Sequence, residues 1–265
     1  MNNGRKVVLV TGGTQGIGRA TVLLLAQEGY EVHFTFKSSE RAAQELCQVS
    51  PEQIFAHKLD QGHPEAIVAA NWLLEYDWDG IVFNAALGTA TVKNYADQGD
   101  ELQSGNDIAL MTVNALGPLW IYKKVYQNLL KRTDHSKLIF ISSVGGGISQ
   151  FPCFSTSDNM SKSAVSYLVR HLAAANVYTT IDVFALCPDS VASAMSEASI
   201  MSQFKTPEAR QAFIDSQAKK RLGDPAVYAY WIAELLKEES TLLHGANIDA
   251  SFGLGVRPGI VTEHM

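Results

Sequence analysis

Residues 11–18 read Thr-Gly-Gly-Thr-Gln-Gly-Ile-Gly. Glycine adopts positive φ without penalty and lets the backbone come close to a ligand. A helix that starts inside such a run turns free N–H groups and a partial positive charge toward the turn, and a pyrophosphate suits that place. Gly12, Thr14, Gln15, Gly16, Ile17 and Gly18 are therefore candidate anion-binding residues. Further on, Phe36-Lys37-Ser38-Ser39 offers a cation and two hydroxyls, which suit a phosphate dianion. Ser39 is also placed to cap a following helix. Asp158 stands four residues before Lys162, a carboxylate beside an ammonium. No set of His, Cys, Asp and Glu has metal-ligand spacing, so no metal is expected.

These groups need a scaffold that brings them together. Short β-branched runs alternate with amphipathic stretches. Strands are expected over 6–11, 31–36, 54–59, 80–83, 137–142, 181–186 and 246–250. Helices are expected over 17–29, 39–49, 64–76, 107–131, 161–178 and 225–236, with an irregular segment before the last. Such alternation implies right-handed crossovers and an α/β fold of Rossmann type. The sheet would be doubly wound and parallel, with about seven strands and helices on both faces. Ligands of such sheets bind beyond the carboxyl ends of the strands, where strand order reverses, and the candidate residues fall at those ends.

The 265 residues, 46% hydrophobic, fit one domain spanning 1–265. A net charge of −6 argues against a nucleic acid or anionic membrane partner. No stretch has the length of a membrane span, and the early apolar run is too short for a signal-peptide core, so a cytoplasmic protein is expected. Cys47, Cys153 and Cys187 are scattered and read as small core residues.

Further motifs carry a resemblance. Asn84-Ala85-Ala86 follows the fourth strand, Asn114 lies in VNALGP, and Ser142-Ser143-Val144 ends the fifth strand. Pro188-Asp189-Ser190-Val191-Ala192-Ser193 follows the sixth. Arg221-Leu222-Gly223-Asp224-Pro225 and the stretch from His244 to Asp249 complete the series. In this order, and with the TGxxxGxG turn, the chain resembles the short-chain dehydrogenase/reductase family over essentially its whole length. The likeness is to β-ketoacyl-carrier-protein-reductase-like members in particular. The resemblance implies a nicotinamide dinucleotide held by the glycine turn, by Asn84, Ala85 and Ala86, by Lys162, and by Pro188, Val191 and Ser193, with Asp60 at the adenine. Lys37 and Ser38, where an acidic residue would favour a plain ribose, point to NADP(H) over NAD(H). Gln15 departs from the basic residue common there in NADP-preferring members.

The implied catalytic set is Asn114, Ser143 and Lys162, with a tyrosine four residues before the lysine. Here that position is Asp158. Carboxyl groups are anions at neutral pH and phenols are not, which makes the aspartate a poor general acid. Tyr167 inside the helix reads as core or interface packing, and Tyr95 and Tyr178 lie outside any matched motif. Asp158 is read either as a catalytic group or as a salt-bridge partner or helix cap.

Three functions are compatible with this pattern, in order. The first is an NADPH-dependent carbonyl or ketoacyl reductase with an atypical active site. The second is a catalytically weak, cofactor-binding subunit that pairs with an active homologue. The third is a dehydratase or isomerase on the same scaffold. The resemblance implies a dimer or tetramer, formed through the helices over 107–131 and 161–178. It also implies a substrate lid at about 190–220. Ala194, Met195, Ile200, Met201 and Phe204, with Phe151 and Phe154, suggest an apolar or acyl small-molecule substrate. The polar loop over 87–105 is expected to be mobile.

Overall fold

The computed structural model describes residues 4–95, 101–102, 104–149 and 154–256. Phe151 and Cys153 lie outside the described residues. Seven strands, β1 (Val7–Val10), β2 (Glu31–Phe36), β3 (Ile54–Lys58), β4 (Gly80–Phe83), β5 (Ser136–Ile141), β6 (Ile181–Pro188) and β7 (Asn247–Ala250), form one sheet in the order β3-β2-β1-β4-β5-β6-β7. Every pairing is parallel. The strand order reverses between β1 and β4, which places the topological switch point at the ends of those two strands.

The central strands are buried along their whole length, as continuous runs such as VVLV and GIVF require of a sheet covered on both faces. One face packs under α1 (Gly16–Gln27), α2 (Glu40–Cys47) and a C-terminal helix at Pro225–Leu235. The other packs under α3 (Pro64–Ala69), the helical stretch from Ser104 to Leu129, and a long helix at Thr156–Asn176. That stretch is α4 (Ser104–Met111), a π-helical turn (Thr112–Leu116) and α5 (Gly117–Leu129). The remaining helices are α6 (Val144–Gly147), α7 (Thr156–Asn176), α8 (Ala194–Ser199), α9 (Pro207–Ser216) and α10 (Pro225–Leu235).

Three expectations are corrected. The helix expected over 64–76 stops at Ala69, because Ala70 takes ψ 68° and the chain continues as a 3₁₀ turn (Asn71–Leu74). The helix expected from residue 161 begins at Thr156, since the Ser155 hydroxyl accepts from the Asp158 N–H and caps it. Lys162 therefore sits in the second turn. The irregular segment contains α8 and α9, each capped by the hydroxyl of Ser193 or Thr206. Of the two readings of Tyr167, core packing and interface packing, its 72% exposure excludes the first. Of the described cysteines, Cys187 is buried and Cys47 only partly so.

Beneath β2 and β3 lies a cluster with a pH signature. His33 Nδ1 is 2.9 Å from His57 Nε2, and His33 Nε2 is 3.0 Å from Glu31 Oε1. His57 stacks on Trp72 with ring centroids 3.8 Å apart. Burial, helped by the neighbouring His33, brings the His57 imidazole down to about 4. Burial also lowers His33, against the pull of Glu31. In the unfolded chain these rings protonate near pH 6.5. Between that pH and about 4 the unfolded state binds more protons, so stability declines as pH falls through this window. We expect unfolding free energy to drop by about 1 kcal/mol for His57 between pH 7 and pH 5. Denaturant titrations at the two pH values measure it. His57→Phe should make the acid limb shallower, and an unchanged slope would contradict the assignment.

Candidate active site at the carboxyl edge of the sheet

At the switch point the loop after β1 is stitched to the loop after β4. The Thr11 hydroxyl oxygen accepts from the N–H groups of Asn84 and Ala85, each at 3.0 Å. The Asn84 amide donates to the carbonyls of Thr11 and Gly12, again at 3.0 Å. Gly12 has φ +69°, and a Cβ there would lie 2.8 Å from Ala85 Cα. A Cβ on Gly18 would collide with the Gly12 carbonyl and sit 2.5 Å from Asn84 Nδ2. Gly13 N donates to the Thr35 carbonyl at 3.0 Å, which ties the turn to β2. α1 starts at Gly16, and Gln15 gives its N-terminus no side-chain cap. The first-turn amides therefore face the turn, as an anion cradle needs. These contacts show that the loops after β1 and β4 close on each other too tightly for side chains at residues 12 and 18, and the turn they leave, a glycine run ahead of an uncapped helix N-terminus, fits the pyrophosphate of a dinucleotide.

The segment after β6 closes against this turn. Val191 bridges Gly223, and Ala192 N donates to the Gly223 carbonyl at 2.8 Å. Ser193 caps α8, and its Cβ lies 3.5 Å from where a Cβ on Gly16 would stand. Pro188 is the last residue of β6, in register with Ala250.

Ser143 follows β5 and caps α6, its hydroxyl oxygen accepting from Gly145 N at 3.1 Å. Its neighbour Ser142 donates to the Lys162 carbonyl at 2.9 Å and contacts the Ser166 hydroxyl at 3.0 Å. This fixes α7 against the end of β5 and brings the turn bearing Lys162 to the turn bearing Ser143. Gly146 allows the approach, because a Cβ there would collide with Lys162 Cβ. Burial holds the Lys162 ammonium below the ordinary lysine value, while the charge of Asp158 pulls the other way. Among the described residues nothing accepts a hydrogen bond from Lys162 Nζ.

Asn114 lies in the π-helical turn, buried to 3% exposure. Its oxygen accepts from Leu87 N at 2.7 Å, and its amide donates to the Leu87 carbonyl and the Ser161 hydroxyl, both at 2.9 Å. Asp158 is neither the cap of α7 nor, among the described residues, in an ion pair with Lys162. Its Oδ2 accepts from the backbone N–H of Thr89 at 2.7 Å and from the Thr89 hydroxyl at 2.8 Å. Ser155 N donates back to the Thr89 hydroxyl oxygen at 3.1 Å. The loop at 87–89 is thus held at both ends, by Asn114 and by Asp158, and this part of the expected mobile loop is anchored. Met195 in α8 lies over Gly88, whose Cβ position is 3.2 Å from the methionine sulfur.

At the far end of the cradle, Lys37 is paired with Asp60, Nζ to Oδ2 at 3.1 Å. Ser39 precedes α2 but makes no side-chain cap bond. Sequence reasoning missed several residues of the site. Gln61, Thr89 and Tyr95 carry no local signal, since their partners are distant in sequence. Gln61 donates to the carbonyls of Ala85 and Val113 at 3.0 and 2.7 Å. Ser155 had one: Ser-x-x-Asp before a helical run is a capping pattern. Among the described residues no group of three or more His, Cys, Asp or Glu could hold a metal ion. No described helix is long and apolar enough to cross a membrane.

A family model described as short chain dehydrogenase matches residues 6–203. Oxidoreductase UcpA of Salmonella typhimurium is 28% identical over 252 residues, covering 91% of this chain and 90% of its own length. The structure of 3-ketoacyl-(acyl-carrier-protein) reductase from Brucella melitensis, complexed with NADH, is similar at a TM-score of 0.80 and 20% identity, over 94% of this chain and 98% of that one. BdcA in complex with NADPH gives a TM-score of 0.74 at 25% identity, over 93% and 94% of the two chains.

Proposed function

This chain belongs to the short chain dehydrogenase family, and from that premise we propose that it is an NADP(H)-dependent oxidoreductase that reduces a carbonyl of ketone or ketoacyl type, with an atypical proton-handling site. The observation that carries the reading is the meeting of Ser143, Lys162 and the glycine turn at one edge of the sheet, held there by Ser142, Asn84 and the glycine contacts. When bound, the dinucleotide supplies the hydride. The Ser143 hydroxyl orients and polarises the carbonyl oxygen. Lys162, its proton loosened by burial, is the acid that neutralises the developing alkoxide. Asp158 does not carry that proton: Oδ2 takes two hydrogen bonds from Thr89, which suit an anion and hold the loop that walls the pocket. The apolar lid, with Met195 over Gly88 and a buried Met201, supports an apolar or acyl substrate. Lys37 at the end of β2, with no acidic residue beside it in that strand end, supports NADP(H) over NAD(H). Exposed Met160 and Tyr167 on α7 and Ile108 on α4 support self-association, as a dimer or tetramer, across these helices.

The test is an assay of the purified protein with NADPH and NADH against ketones and β-ketoacyl thioesters, alongside Asp158→Asn and Asp158→Tyr. Wild type should reduce at least one carbonyl with NADPH. Asp158→Asn weakens the hold on Thr89 without removing a proton donor, so kcat should fall only about tenfold, with its pH profile unmoved. Asp158→Tyr loses the loop contact and should be no better than wild type. Inert wild type with an active tyrosine variant would sink this reading and favour a cofactor-holding subunit.

A further inference from the structure

Lys37 and Asp60 stand at the adenosine end of the cofactor under the proposed function, and the role of Tyr95 rests on that placement. Three segments converge there. Tyr95 Oη donates to Asp60 Oδ1 at 2.8 Å, and Gly62 N donates to the same oxygen at 3.1 Å. Lys37 Nζ pairs with Oδ2 at 3.1 Å and lies 3.4 Å from the centroid of the Tyr95 ring, a cation–π contact. His63 Nε2 stands 3.7 Å from Oδ2. The fit is close: a Cβ on Gly62 would collide with the Tyr95 hydroxyl. Burial and the Asp60 carboxylate raise the Tyr95 phenol above its ordinary value, so it is a donor at any working pH. Burial opposes the charge on Asp60, but Tyr95, Gly62 and Lys37 outweigh it and keep the carboxyl below its ordinary value.

We infer that Tyr95 is an affinity-setting residue of the adenosine subsite: its phenol occupies the place on Asp60 that the amino group of an adenine ring would take, and a dinucleotide enters by exchanging for it. The exchange is the same for every adenine ligand. Lys37 then separates them. Leaving Asp60 and the ring face for a 2′-phosphate replaces one ion pair with another, whereas an unphosphorylated ribose gives the ammonium no anion in return. The Tyr95 contact thus weakens all adenosine ligands alike, and Lys37 restores only those with a 2′-phosphate.

Calorimetric titrations with 2′,5′-ADP, 5′-AMP and nicotinamide mononucleotide test this, with NADPH as reference. In Tyr95→Phe, which keeps the ring under Lys37, 2′,5′-ADP and 5′-AMP should each bind about three- to tenfold tighter, the range of one ordinary hydrogen bond. Their ratio should not change, and nicotinamide mononucleotide should be unaffected. Lys37→Met should lower the ratio of the two adenosine ligands by about tenfold. Unchanged or weaker binding of both in Tyr95→Phe, with wild type still binding NADPH, overturns the inference and leaves the cofactor reading intact. Failure of wild type and variant alike to bind any adenine ligand overturns both.

Discussion

Replacing Lys162 with alanine is expected to cut carbonyl reduction by about a thousandfold while the protein stays folded. The size reflects what the side chain does. It is the cation on the turn packed against the turn of Ser143, brought there because Ser142 holds the Lys162 carbonyl and Gly146 lets the stem pass. Burial lowers its proton affinity toward the range in which an acid works best near neutral pH. Removing a partly buried, desolvated cation relieves a cost, so the thermal midpoint should not fall. Lys162→Arg keeps the charge but not an acid that titrates, and should recover substrate binding without recovering turnover. The pH profile separates this from a structural role. Wild type should lose activity on the alkaline side as the lysine deprotonates, and the alanine variant should have no such limb. A variant within tenfold of wild type would move the proton transfer elsewhere.

The second large effect is at the glycine turn. Gly18→Val should abolish NADPH binding, a loss of more than about a hundredfold, because the new side chain strikes the Gly12 carbonyl and the Asn84 amide. That contact holds the loop after β1 to the loop after β4, so both walls of the cradle shift together. Gly29→Ala is the control. Gly29 has φ +90° with nothing near its Cβ position, so substitution there costs about 1–2 kcal/mol of backbone strain and leaves cofactor affinity alone. Binding and denaturant titrations on both variants separate crowding at the turn from general strain. If Gly18→Val bound NADPH normally, the cradle would be somewhere else.

Much of this architecture is legible in local sequence. β2 and β4 have the expected bounds, because β-branched and apolar runs flanked by glycine or turn residues leave few alternatives. The anion cradle is legible for the same reason: a strand, a glycine turn and a helix succeed one another directly. The start of α7 was also written locally, in the Ser155-x-x-Asp158 cap, and so was α9, in Thr206-Pro207-Glu208. The roles of Asp158 and Tyr95 were not legible. Thr89 and Asp158 are 69 residues apart, and Asp60 and Tyr95 are 35 apart. Only the sheet order and the route of the loop after β4 bring them together. The same holds for Lys37. Its type points to a phosphate, but its pairing with Asp60 depends on β2 and β3 lying side by side.

The central claim is that the edge at the switch point is a cofactor site with a preference for a 2′-phosphate. Fluorescence titration of the purified protein with NADPH and NADH tests it most directly. Saturable binding of both, with NADPH the tighter by about tenfold or more, is the predicted result. If neither cofactor binds, the glycine cradle is not a dinucleotide site and the proposed function fails.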